Sequence, residues 1–222
     1  MRKVAVVLSG CGGLDGSEIR EAVLTLLAIE RAGARADCFA PDMSQEDVVD
    51  HLSGQPMVET RNALREAARI TRGRVRPLGQ LHSSDYHALM LPGGLGAAKT
   101  LSSFFRDGTD CTVLPELARA IKDFSRAGKP IGATCMAPVL LARVLDRIEI
   151  TIGNDLGTAS AIKTMGSIHR PAASDQVVVD HKARIATAAC HMLDATLSEI
   201  ATATEGVVHA LLHMMECPES CC

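Results

Sequence analysis

The chain predicts an α/β fold, with a mostly parallel sheet carrying helices on both faces. Three observations lead there. The apolar runs at 4–8 and 88–91 are continuous rather than alternating, and 131–134 is a short run with small residues, as in strands buried on both faces. Segments with helical spacing separate them. Glycine-rich turns, at 10–13 and 93–96, follow strands directly.

Taken in order, residues 3–9 are the first strand, and the Gly-rich turn 10–13 ends it. Ser17 is placed as a helix would place its N-cap, and Ala22, Val23, Leu26, Leu27 and Ile29 continue the helix until Gly33. Residues 36–40 form a second strand, completing a βαβ opening. The stretch 41–82 is less regular: a short helix from Ser44, a turn at 54–56, and a helix over 62–72 closed by Gly73. It has too few apolar residues for a core of its own and reads as an excursion between strands. After the strand 88–91 come a helix over 113–127, the strand 131–134 and a helix-like run from Met136, with Pro138 in its first turn. Residues 148–152 read as another strand, 158–165 as a helix capped by Gly166, and 176–180 with 184–188 as two short strands around a turn. A long amphipathic helix over 195–216 follows and stops before Pro218.

In sheets of this kind, sites lie where the strands end at their carboxyl edge. Residues 9–13, 92–96, Cys135 and 153–155 all fall there. Cys135 stands on a sharp strand-to-helix turn, the geometry of a nucleophile elbow with Cys in place of Ser. Unpaired N–H groups and a helix dipole at that turn favour thiolate, the nucleophilic form. The competing reading is a small buried hydrophobe, the ordinary role of a free cysteine and the one that suits most of the seven others.

Other candidates also have two readings. Glu18 opens the first helix at the same edge, either as a proton carrier facing Cys135 or as a first-turn acid complementing the helix dipole; Asp15 and Glu21 beside it are open to either use. Gly93 and Gly94, joined by the Met136 N–H, would stabilise an oxyanion or simply make a tight turn. Residues 93–100 nearly spell a phosphate-binding loop, but Ala98 replaces the glycine whose backbone would cup phosphate. His169 could assist proton transfer or be one of several structural histidines. His209, His213 and Cys217 are spaced by four on the last helix, as soft metal ligands or as a polar helix face.

Composition narrows the function. With 47% hydrophobic and 22% charged residues, the chain has material for a full core. Aromatics are 2%, so no platform exists for stacking bases, and a net charge of −3 without a basic block argues against nucleic acid or an anionic membrane surface. No apolar run reaches the ~18 residues of a membrane span. The opening run is cut short at Ser9–Gly13, unlike a signal peptide, and the eight irregularly spaced cysteines fit a reducing compartment, so a cytoplasmic protein is expected.

Four segments together resemble a known family: 9–19 (Ser-Gly-Cys-Gly, then Asp15-Gly-Ser-Glu-Ile), 91–99 (Leu-Pro-Gly-Gly-Leu-Gly-Ala-Ala-Lys), 128–138 (Gly-Lys-Pro-Ile-Gly-Ala-Thr-Cys-Met-Ala-Pro) and 151–155 (Thr-Ile-Gly-Asn-Asp). They are similar to the ElbB family, isoprenoid-biosynthesis-associated and glyoxalase-like, within the PfpI-like superfamily of class I glutamine amidotransferase-type folds. The resemblance spans nearly the whole chain. It implies a single domain over 1–222, a flavodoxin-like three-layer sandwich, often a homodimer. It also implies a Cys nucleophile at Cys135, a proton-bearing carboxylate at Glu18 and a supporting His at His169. Two departures stand out. No His-x-Glu follows the cysteine, which argues against glutamine hydrolysis, and Thr187-Ala-Ala-Cys190-His191 replaces a Thr-Pro-Ala-aromatic stretch of relatives. The function expected is a cofactor-independent glyoxalase, a lyase converting methylglyoxal or glyoxal to 2-hydroxy acids. The alternative is a non-catalytic, redox-responsive regulatory protein.

Overall fold

The computed structural model describes residues 1–216. The elements run β1 (Lys3–Val7), α1 (Ile19–Arg31), β2 (Arg35–Ala40), β3 (Val49–Asp50), β4 (Gln55–Pro56), α2 (Ala63–Thr71), β5 (Val75–Pro77) and β6 (Ala88–Leu91). They continue through α3 (Gly96–Lys99), α4 (Phe104–Asp107), α5 (Pro115–Arg126), β7 (Ile131–Thr134), α6 (Pro138–Val144), β8 (Glu149–Ile150) and α7 (Leu156–Thr164). The last are β9 (Ile168–His169), β10 (Val177–Asp180), β11 (Ile185–Ala188) and α8 (Leu197–Glu216). Seven strands form one sheet in the order β10-β11-β7-β6-β1-β2-β5. All neighbours are parallel except the edge pair β10 and β11.

Period-two side-chain alternation divides the core into two layers. From β1, Ala5 and Val7 face α5, α6 and α7, where Ile121, Phe124, Leu140 and Ile162 cover them. Val4, Val6 and Leu8 face the opposite way, against Ala22 and Ile29 of α1 and Val207 and Leu211 of α8. This is the flavodoxin-like three-layer sandwich. Gly132 in β7 lets α8 approach the sheet: a Cβ there would stand 2.7 Å from Met90 Sδ and 2.9 Å from Val207 Cγ1. Gly132→Ala is expected to destabilise the protein by about 1–3 kcal/mol through overpacking, read as a lowered urea midpoint with unchanged slope.

Several elements differ from expectation. Ser44 starts no helix; it bridges Asn62, and the β3–β4 hairpin follows. The stretch 41–82 adds a strand to the main sheet, β5, whose Pro77 is tolerated because β5 is an edge. Residues 148–152 do not join the main sheet: among the described residues β8 pairs only with β9. Ser17 is not the N-cap of α1. Its hydroxyl accepts the Ser9 N–H at 2.8 Å, and Glu18 caps the helix instead.

Candidate active site at the carboxyl edge of the sheet

Beyond β1 the chain builds outward through β2 and β5, then crosses back to β6, β7 and β11. The boundary between β1 and β6 is therefore the switch point, the part of the carboxyl edge where doubly wound sheets place their sites. Four loops meet at this edge, from the ends of β1, β6, β7 and β11. The first two lie backbone against backbone: Leu95 N–H donates to Gly13 O (2.8 Å), Gly96 N–H to Gly16 O (2.9 Å), and Glu18 N–H to Gly93 O (2.8 Å).

Cys135 leaves β7 with φ +57°, a left-handed conformation that costs a non-glycine residue about 1–2 kcal/mol. Its N–H donates to Ala188 O at 2.9 Å, tying the turn to β11. The backbone N–H groups of Gly94 and Met136 are directed at its sulfur. Cys135 as a whole is 7% exposed. Gly93 must be glycine here, because a Cβ would overlap Cys135 Cβ and lie 2.6 Å from Glu21 Oε2.

The carboxyl beside the sulfur belongs to Glu21. It is fully buried and hydrogen-bonded to Cys135. Its Oε2 accepts the Thr134 hydroxyl (2.8 Å) and the Gly93 N–H (3.1 Å), and its Oε1 accepts the His191 N–H (3.2 Å). Burial raises Glu21 to about 7, against the pull of those three donors and with a further push from the Glu18 charge. Burial also drives the Cys135 thiol well above its ordinary value, and the Glu21 charge adds to the effect. The Gly94 and Met136 N–H groups oppose this without prevailing. The expectation that peptide dipoles alone hold the sulfur ionised is therefore corrected: desolvation outweighs them, and the neighbouring acid is the nearer base.

Glu18 stands one turn earlier. Its Oε2 accepts the Glu21 N–H at 2.7 Å as the cap of α1, and its side chain is 18% exposed. Glu18→Ala is expected to lower stability by about 1 kcal/mol, the usual worth of an N-cap, measured by chemical denaturation. Gly93 does not offer its N–H to an oxyanion, since Glu21 and Thr134 already occupy it. Gly94 and Met136 are the donors at the sulfur.

His169 is not joined to this group. It lies in β9 beside the Gly153 backbone, and burial, with the Lys163 charge, lowers its imidazole below the usual value. The histidine at the edge is His191, just past β11. Its backbone N–H reaches Glu21, and its ring Nε2 is buried without a hydrogen-bond partner among the described residues, 4.0 Å from Glu18 Oε2. Cys190 beside it is fully buried with φ +46°.

The near-match to a phosphate-binding loop is a structural strut. Lys99 Nζ donates to Leu14 O (3.0 Å) and to Asp47 Oδ2 (2.7 Å), which ties α3 to the neighbouring loops. His209 and His213 lie on α8, whereas Cys217 is outside the described residues. Among the described residues no three His, Cys, Asp or Glu side chains are grouped to hold a metal ion.

The mostly parallel sheet, covered by helices on both faces, has the fold of amidotransferase-like and DJ-1/ThiJ/PfpI-like structures, and Cys135 with the buried Glu21 lies at its carboxyl edge. The comparisons agree. A human protein, glutamine amidotransferase-like class 1 domain-containing protein 3, mitochondrial, is 43% identical over 222 residues, covering 96% of this chain and 83% of its own length. A rat protein, ES1 protein homolog, mitochondrial, is 41% identical over 96% of this chain and 84% of its own. The crystal structure of an isoprenoid biosynthesis protein with an amidotransferase-like domain from Ehrlichia chaffeensis superposes with a TM-score of 0.90 at 36% identity, covering 96% of this chain and 99% of that one. No family model matches the chain. The chain belongs to the family of glutamine amidotransferase-like class 1 domain proteins that includes the ES1 homologues.

One expectation falls with these relatives. The human, rat and zebrafish proteins are all named mitochondrial, which overturns the cytoplasmic assignment. Thiols left unpaired by irregular spacing indicate reducing conditions but do not distinguish one reducing compartment from another.

Proposed function

We propose that the chain is a cofactor-independent glyoxalase acting on methylglyoxal and similarly small 2-oxoaldehydes. The observation that carries this reading is Cys135 hydrogen-bonded to a buried Glu21 whose pKa is about 7. Near neutrality that carboxylate accepts the thiol proton while the sulfur attacks the aldehyde carbon, forming a hemithioacetal. The Gly94 and Met136 N–H groups, directed at the sulfur, stabilise charge there as it develops. A base then removes the proton from the former aldehyde carbon, giving an enediol. Return of a proton to the adjacent carbon leaves a thioester. The aldehyde carbon has been oxidised and the ketone carbon reduced, with no external electron carrier. Water cleaves the thioester, releasing the 2-hydroxy acid and restoring the thiol. Glu21 takes the proton-carrying role first assigned to Glu18, and the His191 ring takes the assisting role first assigned to His169. The limited exposure of Cys135, 7% for the whole residue, favours a substrate of a few heavy atoms.

The test supplies methylglyoxal without glutathione to the wild type and to Cys135→Ala, with lactate as the readout. The wild type should form lactate and Cys135→Ala should not. Equal rates from both would end this reading.

A further inference from the structure

We propose that Cys190 is the resolving thiol of Cys135: a hydroperoxide converts Cys135 to a sulfenic acid, and Cys190 closes a reversible disulfide onto it. This rests on the reading of Cys135 as a reactive sulfur reached by small molecules, but not on the aldehyde chemistry.

The two cysteines stand at the ends of neighbouring strands. Parallel pairing sets Thr134 opposite Ala188, and the next residue, Cys135, donates its N–H to Ala188 O at 2.9 Å. Cys190 lies two residues beyond Ala188. Both cysteines adopt a positive φ, +57° and +46°, so both chains turn sharply at the same edge. Both side chains belong to the apolar layer under α1 and α8. Glu21 lies near both: after burial, its charge is the largest influence raising each thiol, and Cys190 also feels Cys135.

Their exposures differ in the way a pair of unequal thiols requires. Taken as whole residues, Cys135 is 7% exposed and Cys190 is 0% exposed, so Cys135 is the one of the pair that borders solvent, and its sulfur is the one hydrogen-bonded to Glu21 and to the Gly94 and Met136 N–H groups. In the first step the Cys135 sulfur, its proton taken by Glu21, attacks one peroxide oxygen. An S–O bond forms, the O–O bond breaks, and the leaving hydroxide takes up a proton to become water or, from an organic peroxide, an alcohol. In the second step the Cys190 sulfur attacks the Cys135 sulfur. The S–S bond forms, the S–O bond breaks, and water departs with the Cys190 proton. Glu21, hydrogen-bonded to Cys135, is positioned to accept the thiol proton in the first step. The other described cysteines are placed differently: Cys38 lies within β2, Cys111 lies between α4 and α5, and Cys11 is raised by burial and by Glu66 of α2.

The experiment treats the full chain with a small excess of hydrogen peroxide and maps peptides without reduction. The wild type should yield the Cys135 peptide joined to the Cys190 peptide, with methylglyoxal turnover lost and then restored by dithiothreitol. Cys190→Ala should keep its turnover before oxidation. It should then accumulate sulfinic acid at Cys135 about tenfold faster than wild type, because nothing intercepts the sulfenic acid. A wild-type Cys135 that pairs with any other cysteine, or reaches sulfinic acid as fast as in Cys190→Ala, overturns the proposal. The wild-type map decides the matter even if Cys190→Ala fails to fold. Turnover of methylglyoxal without the disulfide would sink this inference alone. The disulfide without turnover would support it and sink only the glyoxalase reading.

Discussion

Replacing Glu21 with Gln should lower kcat/KM for methylglyoxal by about 10²–10⁴-fold, the range that a positioned proton carrier supplies. The side chain is fully buried and bonded to the nucleophile, whereas the neighbouring Glu18 carboxyl is engaged by the Glu21 N–H. Glu18→Gln should fall far less, because that carboxyl is engaged in capping α1. The wild-type kcat/KM should also rise with pH through an inflection near 7, as Glu21 loses its proton and becomes the base. Steady-state rates for the three proteins across pH 5–9 decide the point. A larger loss in Glu18→Gln than in Glu21→Gln would reverse the assignment of the two residues.

The same carboxyl should make the fold less stable as pH rises. Its folded pKa, about 7, is raised above its ordinary value of 4.5. Between those values the native state holds a proton that the unfolded chain has released, so unfolding becomes easier with increasing pH. The contribution is fully present below pH 4.5 and is lost as pH passes through about 7. A gap of about 2.5 pK units corresponds to about 3 kcal/mol. Urea unfolding of the wild type and Glu21→Gln at several pH values isolates this group. The difference between them should shift against the wild type by about 3 kcal/mol from pH 4.5 to 8. A difference independent of pH would mean that Glu21 is ionised throughout and is no proton carrier near neutrality.

Much of the architecture was legible because the central strands announce themselves. Val4 to Leu8 and Ala88 to Leu91 are apolar without interruption, and Ile131 to Thr134 is a run of mostly small residues, patterns that strands covered on both faces carry. β5 gave no such signal: three residues with Arg76 in the middle, at an edge where only one neighbour must be satisfied. Residues 148–152 alternate apolar and polar as a strand does, yet they serve a separate two-stranded ribbon, and local pattern does not say which sheet a strand joins.

At the site, Cys135 was legible because strand, small residues and a first-turn proline surround it. The choice between Glu18 and Glu21 depended on where α1 begins. Taking Ser17 as the cap put Glu18 inside the first turn. In fact Glu18 is the cap, and Glu21 lies on the stripe with Ala22, Thr25, Ala28 and Ile29 that packs against the sheet. An acid in phase with that stripe was the available signal. His191 was missed for a different reason. Its position at the active edge follows from β11 pairing parallel to β7, a long-range fact that no local window contains.

The interlocked loops after β1 and β6 also limit how this scaffold can diversify. A Cβ on Gly94 would collide with Gly16 O, and one on Gly96 would stand 2.7 Å from Gly16 Cα. That side of the edge is bare main chain, with no room to grow a side chain. New chemical preferences must therefore arise elsewhere, from the loop after β11, where Met192, Leu193 and Asp194 are at least partly exposed while Ala189 and Cys190 are buried. Libraries aimed at altered selectivity belong there, and the glycine side can be left untouched.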